Sequence, residues 1–392
     1  MKKPRSWKNA GIRWGIPVLF LLLFLIFTVW VNRVEKTELV SRDGQSFERG
    51  VVVQILRDNL TETGARAGEQ VVAVQMKTGA HKGEIVETTS SAGYLFGAPC
   101  RVGMHVIVIQ STAGDSVVTA IYSQDRGLVI CLFAILYLAL LVLIGGRQGL
   151  KGAAGLVFTF FAIIFVLIPL IYRGCNPFLA AVVICLMTTL VTMYLIGGPT
   201  RKTLVASAGT VTGVVIAYGT ARIFGLAAGL SGFNVSDIES LMTVYETNDI
   251  QVGGLLFAGL LISSLGATMD VAMSIASAME EIVRQNPAIS RRELFRAGLR
   301  VGRDMMGTDS NTLILAFAGT SISALLLDYA YDLPYLQVIN SNNIDLQIMQ
   351  GLSGSFGIVL CVPVTVLLGT LMLKAQAAEA MKAAESMKAA GE

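Results

Sequence analysis

The sequence predicts a multi-pass (polytopic) α-helical membrane protein of about eight transmembrane helices, with a small extracytoplasmic β-barrel or sandwich domain. Three observations predict it. Hydrophobic residues make up 54% of the 392 and charged residues 15%, with a mean hydropathy of +0.65. Apolar runs of roughly 20 residues, the length that crosses a bilayer, recur along the chain. After the first run, a long segment alternates apolar and polar residues in short pieces instead.

The first apolar run, near Gly15–Val31, follows Lys2, Lys3, Arg5, Lys8 and Arg13. It is long enough to span, and no small-residue cleavage site precedes VNRVEK, so residues 1–33 read as an uncleaved anchor. Residues 34–126 carry GVVVQIL, EQVVAVQM, HKGEIVET, MHVIVIQ and SVVTAIY, separated by Gly, Asn and Asp. That pattern predicts five or so strands in a compact domain. Such a domain binds a ligand, caps the protein or docks a partner; no aromatic platform or basic stripe selects the first role. Residues 127–373 complete a seven-helix membrane domain, with spans near 128–145, 153–172, 178–196, 203–225, 253–279, 310–327 and 355–373. Within it, Ser290-x-x-Glu293 forms a capping box after Asn286-Pro287. Arg292, Arg296, Arg300 and Arg303 then share a face, so 290–306 is expected as an amphipathic helix on the inner leaflet, with a bend at Gly307. Residues 374–392 form a cytoplasmic Ala/Glu/Lys tail.

Lys and Arg orient these spans. The N-terminal cluster, Arg147/Lys151, Arg201/Lys202 and Arg284 through Arg303 fall on one side of an eight-span chain. The opposite loops hold Arg173 and two base-free acidic stretches, 226–250 and 328–350. Both termini are therefore expected in the cytoplasm.

The chemistry concentrates in two segments. Ser263, Gly266, Asp270, Ser274 and Ser277 are spaced by three and four residues, which puts them on one face of the sixth span. Asp270 lies ~12 Å inside that span at 1.5 Å per residue, with no base within four positions. A charge so placed costs several kcal/mol unless it is paired or faces a protein-lined cavity. Asp304, Thr308, Asp309 and Asn311 lead into the seventh span. There the N-terminal amides of a new helix would stabilise Asp270. The blander readings are close packing for the Ser/Gly face, as in Gly209-x-x-x-Gly213, pairing of Asp304 with Arg300 or Arg303, and helix capping for Asp309. Met269 and Met273 flank Asp270 and would bias a metal site toward transition metals, although Met more commonly fills gaps. Cys100, Cys131, Cys175, Cys185 and Cys361 form no CxxC pair and read as small apolar fillers. The HExxH, GxSxG and GxxxxGK[ST] signatures do not occur, so zinc hydrolysis, the serine-hydrolase elbow and ATP-driven transport by this chain have no support.

The segments GATMDVAMSIASAMEEI at 266–282 and GRDMMGTDSNTLILAFAG at 302–319 resemble the YibE/F-like family of bacterial multi-pass membrane proteins. KTGAHKGEIVET at 77–88, QDRGLVICLFAILYLALLVLIGGRQGL at 124–150, IPLIYRGCNPFLAAVV at 168–183 and VPVTVLLG at 362–369 add to the likeness, which covers most of the chain, the β insert included. Asp270, Asp304 and Asn311 match the family pattern. Asp309 stands where the family carries Met, and Phe317 where it carries Tyr. The resemblance implies a bacterial cell-membrane location and supplies no substrate. Function rests on the site, and three classes remain open. The first is a secondary transporter or ion-coupled permease using Asp270 with Asn311, Asp304, Ser274 and Thr308. The others are a non-transporting scaffold or receptor using the β domain, and an intramembrane aspartyl enzyme, for which a GxGD-like setting is lacking. No cofactor is expected, though proton or cation coupling is compatible with the site. The expected partners are the lipid bilayer and a small solute or ion, not nucleic acid.

Overall fold

The computed structural model describes residues 20, 22–34, 43–61, 66–91, 97–113, 116–233, 238–248 and 251–389. The start of the expected first span, the N-terminal basic cluster, and Asp237 and Asp249 lie outside these residues. Contacts divide the chain into two units, Glu38–Leu143 and Met1–Thr37 with Ile144–Glu392.

The first unit contains β1 (Gln45–Arg57), β2 (Glu69–Met76), β3 (Ile85–Ser91), β4 (His105–Ala113) and β5 (Ser116–Gln124). They close into a barrel in the order β1-β2-β3-β5-β4, a five-stranded Greek-key arrangement. β1 pairs antiparallel with both β2 and β4, and β3 meets β5 in parallel at Thr89 and Ala120. Register shifts at Val52/Gln54 and Ile55/Arg57 bend β1 around the barrel. Gly50 permits the tight curve, because a Cβ there would strike Val74 Cγ1. Alternate residues point inward, so Val52, Val72, Val74, Met76, Val106, Val108 and Ile121 make a continuous apolar core. One polar side chain is buried deeply beside it. Gln70 receives the Cys100 N–H at 2.8 Å and donates to the Cys100 carbonyl at 3.2 Å and to Asp58 at 3.1 Å, which satisfies its amide.

The second unit is helical. α1 (Leu22–Asn32) packs Phe24 against Phe158 and Phe161, with ring centroids 5.0 and 5.9 Å apart. Arg173, the base expected in an outer loop, caps the end of α1. It donates to the carbonyls of Val31, Trp30 and Arg33 and stacks over Trp30 at 4.5 Å. The spans expected near 128–145 and 153–172 are both helical but run together. α2 (Gly127–Ala162), a π-helical turn (Ile163–Leu167) and α3 (Ile168–Tyr172) are continuous. Within α2, Gly146 breaks the helical backbone at φ 55° and ψ −131°.

α4 (Pro177–Gly197) starts where the Asn176 side chain accepts from the N–H groups of Phe178 and Leu179, with Pro177 in its first turn. α5 (Arg201–Ala227) is capped by Thr200. α6 (Ile238–Asn248) and a short 3-10 turn lead into α7 (Leu255–Gln285). α8 (Arg291–Thr320), α9 (Ile322–Ala330), α10 (Tyr335–Ile339) and α11 (Asn342–Ala389) follow. α11 runs on from the last expected span through the tail as one helix. Among the described residues, five helices are long and apolar enough to cross a membrane, or six if α8 and α9, bent by 57°, count as one. Two features take the expected eight to six, and the bend between α8 and α9 takes it to five. Two expected spans share one helical run, and α1 is described over Leu22–Asn32 only.

The capping box at Ser290 and Glu293 forms as expected. Two expectations that follow it do not hold. α8 continues unbroken through Gly307, and its bend comes at Ser321 instead. Residues 291–306 are therefore the first half of one continuous helix and not a helix of their own. Leu294, Gly298 and Gly302 are buried against α7 and α11. A Cβ at Gly298 would lie 2.9 Å from Met279 Sδ and 3.0 Å from Val366 Cγ1, and one at Gly302 would strike Val362. The arginines occupy the remaining, outer face. The small residues reach the packed surface every four positions, which joins both halves into one docked helix.

α5, α7 and α11 form the centre of the bundle, with α4 against α7 and α5, and α8 against α7 and α11. Gly213 and Gly357 bring α5 and α11 almost to backbone contact: a Cβ at Gly357 would lie 2.6 Å from the Gly213 carbonyl oxygen. Polar ties gather at one end of the bundle. Lys202 pairs with Glu280 at 2.8 Å, and Lys374 donates to the Pro287 carbonyl at 2.7 Å.

Candidate functional site

The polar face of α7 has an unexpected exposure. Ser264, Thr268, Val271, Ala272, Ile275 and Met279 face the bundle and are buried. Ser263, Gly266, Asp270 and Ser274 stand on the opposite, uncovered side. These small residues therefore do not mediate packing within the described chain; the buried stripe beside them does. The Ser263 hydroxyl donates a hydrogen bond to the Leu260 carbonyl, and a Cβ at Gly266 would meet nothing within 4 Å.

α8 presents a second pair of faces. Gly302, Met306, Asp309, Ser310, Leu313 and Phe317 recur every three or four residues along its inner and flanking side. Asp304, Thr308 and Asn311 recur in the same way on the outer side and are exposed. The helices that carry Asp270 and Asp309, α7 and α8, pack against each other. The Oδ2 atom of Asp309 and the hydroxyl of Ser310 are buried without hydrogen-bond partners among the described residues. Asn311 and Asp304 show no side-chain hydrogen bond or ion pair there, and the pairing of Asp304 with Arg300 or Arg303 does not form. Thr308–Asn311 is a mid-helix turn, so it offers Asp270 no free N–H groups, and Asp309 caps no helix. That correction follows from the unbroken helix at Gly307.

Met269 and Met273 sit in apolar packing. Met273 packs with Met193, Val205, Ala206 and Ala276, and Met269 lies against two apolar clusters. Both fill gaps in this geometry. Among the described residues, no group of three His, Cys, Asp or Glu side chains is arranged to hold a metal.

A cavity of about 260 Å³ opens on the flank of α7 that carries Gly266 and Met269. Its other walls come from the later part of α2 and from α4, including Thr188 and Thr192. Little in the sequence announces it. The only sign was three threonines, Thr188, Thr189 and Thr192, within an otherwise apolar span.

Comparison with known proteins adds one relation. The family model described as YibE/F-like protein matches residues 133–375. The match takes in α4, α5, α7, α8 and both helical motifs in full, and begins after the barrel. Neither the curated proteins nor the solved structures give a match. With well over half of the chain matched, including both polar helices, the chain belongs to the YibE/F-like protein family.

Proposed function

We propose that this protein is a multi-pass protein of the bacterial cell membrane that moves a small solute or ion, with Asp270 as its coupling carboxylate. The observation that carries the reading is a carboxylate on each of two packed helices, Asp270 on α7 and Asp309 on α8, with the Oδ2 atom of Asp309 buried and unpartnered among the described residues. Two carboxylates on packed apolar helices, neither paired with a base, suit a proton or a bound cation. Ser263, Ser274 and Thr308 give the surrounding surface hydroxyl groups that suit a hydrated path. Asp270 makes the proton or cation contact, Asp309 supplies the second carboxylate, and Asn311 and Asp304 line the outer side of α8.

The decisive experiment is flux into proteoliposomes down an imposed proton or cation gradient. Asp270→Asn keeps the side-chain shape and removes the exchangeable charge. It should fold with an unchanged circular-dichroism spectrum and lose flux by an order of magnitude or more. Wild-type flux in Asp270→Asn across a range of pH would refute coupling at this residue.

The same reading places both termini in the cytoplasm and the barrel outside, on the strength of the Lys/Arg bias. Asp58 and Arg292 are both exposed, so single cysteines at those positions report the arrangement. An impermeant maleimide added to intact cells should label position 58 and reach position 292 only after the membrane is opened. Labelling of both from the same side would overturn this topology.

A further inference from the structure

The outer face of α8 carries polar groups that nothing in the described chain answers. Its inner line, Leu294, Gly298, Gly302 and Leu313, packs on α7 and α11. On the opposite side Arg300, Asp304, Gly307, Asn311, Ile314 and Ala318 are all exposed. They follow one another in alternating steps of four and three residues, the spacing at which two helices wind around each other along a shared seam. A Cβ at Gly307 would meet nothing within 4 Å, so the middle of that seam is open to close approach.

Two observations say what kind of surface covers it. The first is depth. Asn311 lies ~30 Å along α8 from Arg291 at 1.5 Å per residue. Leu313, two residues on, packs where a Cβ at Gly354 of α11 would meet both it and Ser264 of α7. An outward amide at that depth is costly against lipid and is satisfied by another protein helix. The second is charge. Arg300, Arg303 and Asp304 are exposed and form no ion pair among the described residues. The patch therefore carries both signs and complements a second example of itself. The exposed apolar residues 127–143 hold neither a charge nor an amide with which to answer it.

We infer that α8 forms a two-fold interface with a second copy of this chain, in which Asn311 meets Asn311 and Arg303 of each copy pairs with Asp304 of the other. In a two-fold contact the same patch serves both sides, so every pairing across it occurs twice. Parallel helices put equal depths together. That brings the two Asn311 amides side by side, each able to donate to the other and accept from it. A single Asn on such a seam fixes the register of the two helices. Arg303 stands on the flank of the seam, one residue before Asp304, where it reaches across to the other copy's carboxylate. The inference rests on the membrane location proposed above and not on coupling at Asp270.

The test is disulfide formation in membranes isolated from cells that express the full-length protein. Cys131→Ser and Cys175→Ser first remove the two exposed native cysteines. Under mild oxidation, Ile314→Cys on the seam should give a band at twice the chain's 41.8 kDa. Thr312→Cys in its place, also exposed but turned away from the seam, should give little. Asp304→Arg should lower the Ile314→Cys dimer several-fold, and adding Arg303→Asp, which exchanges the two charges, should restore it. The inference fails if Ile314→Cys stays monomeric, as it would with lipid or a different protein on this face. It also fails if Ile314→Cys crosslinks no better than Thr312→Cys, a comparison that does not depend on the charge variants folding. Unchanged crosslinking in Asp304→Arg, or no recovery on exchange, would overturn the pairing. Flux is read separately: a dimer without flux upholds this interface and removes transport, whereas flux from a monomer does the reverse.

Discussion

Asp270 stands out in the sequence because a charge inside an apolar run needs a reason. Asp309 does not, because its role depends on a backbone feature that the sequence misrepresents. Gly307 suggests a break, and a break would turn Thr308–Asn311 into a helix start. The helix runs through instead. Its twist then carries Asp309 to the inner flank and leaves Asn311 and Asp304 outside. Residue type alone could not separate these positions, since only the phase of the continuous helix distinguishes them. The orphaned oxygen of Asp309 gives a prediction. Asp309→Met removes an unsatisfied buried atom and a charge. It should raise stability by about 1 kcal/mol, read as a higher melting temperature. It should also lower proton or cation flux, because the proposed site loses its second carboxylate. A variant that is both less stable and fully active would contradict this placement of Asp309.

At the level of elements, apolar length and capping chemistry carried most of the information. The Ser290/Glu293 box marks a helix start that the structure contains. Helix ends and continuity were harder to read. Gly145-Gly146 separates two expected spans, yet only Gly146 leaves helical geometry and the helix resumes. Gly298 and Gly302 read as part of an arginine-rich surface helix, but their missing side chains are what let α8 dock. A glycine in a helix thus marks either a break or a close approach, and only the neighbouring helix decides which. The α5–α11 contact tests this. At Gly213 a Cβ would strike the Thr268 methyl and lie 2.9 Å from Cys361 Cβ and 3.0 Å from the Gly357 carbonyl oxygen. The carbonyl is backbone and cannot rotate away. Gly213→Ala should therefore destabilise the bundle by about 1–3 kcal/mol, despite alanine's better helix propensity. Gly152→Ala is the control, since nothing lies within 4 Å of a Cβ there. Equal melting temperatures for the two variants would argue against the close α5–α11 approach.

On the scale of the whole molecule, the family match covers the helical part and leaves the barrel outside it. The barrel was legible as alternating strands, because inward and outward residues differ in polarity. Its closure was not, because the parallel β3–β5 pairing joins strands distant in sequence. Its own core and hydrogen-bonded Gln70 imply that it folds independently. Residues 38–126 alone should therefore give a β-type circular-dichroism spectrum and a cooperative melt. Cys100 supplies a pH signature for that fold. Burial pushes its thiol above its ordinary pKa, against smaller opposing effects from the Ser90 hydrogen bond and the Arg66 charge. The folded barrel therefore favours the neutral thiol, while the unfolded chain releases the proton near pH ~8.5. The thiol's contribution to stability is full below that pH and is lost as pH rises toward the folded-state value. The melting temperature of the wild-type barrel should fall between about pH 8 and pH 10. It should fall less in Cys100→Ala, which lacks the titrating group and so cancels the effect of lysines and tyrosines common to both. A random-coil spectrum would refute independent folding, and an identical fall in both proteins would refute a buried, neutral Cys100.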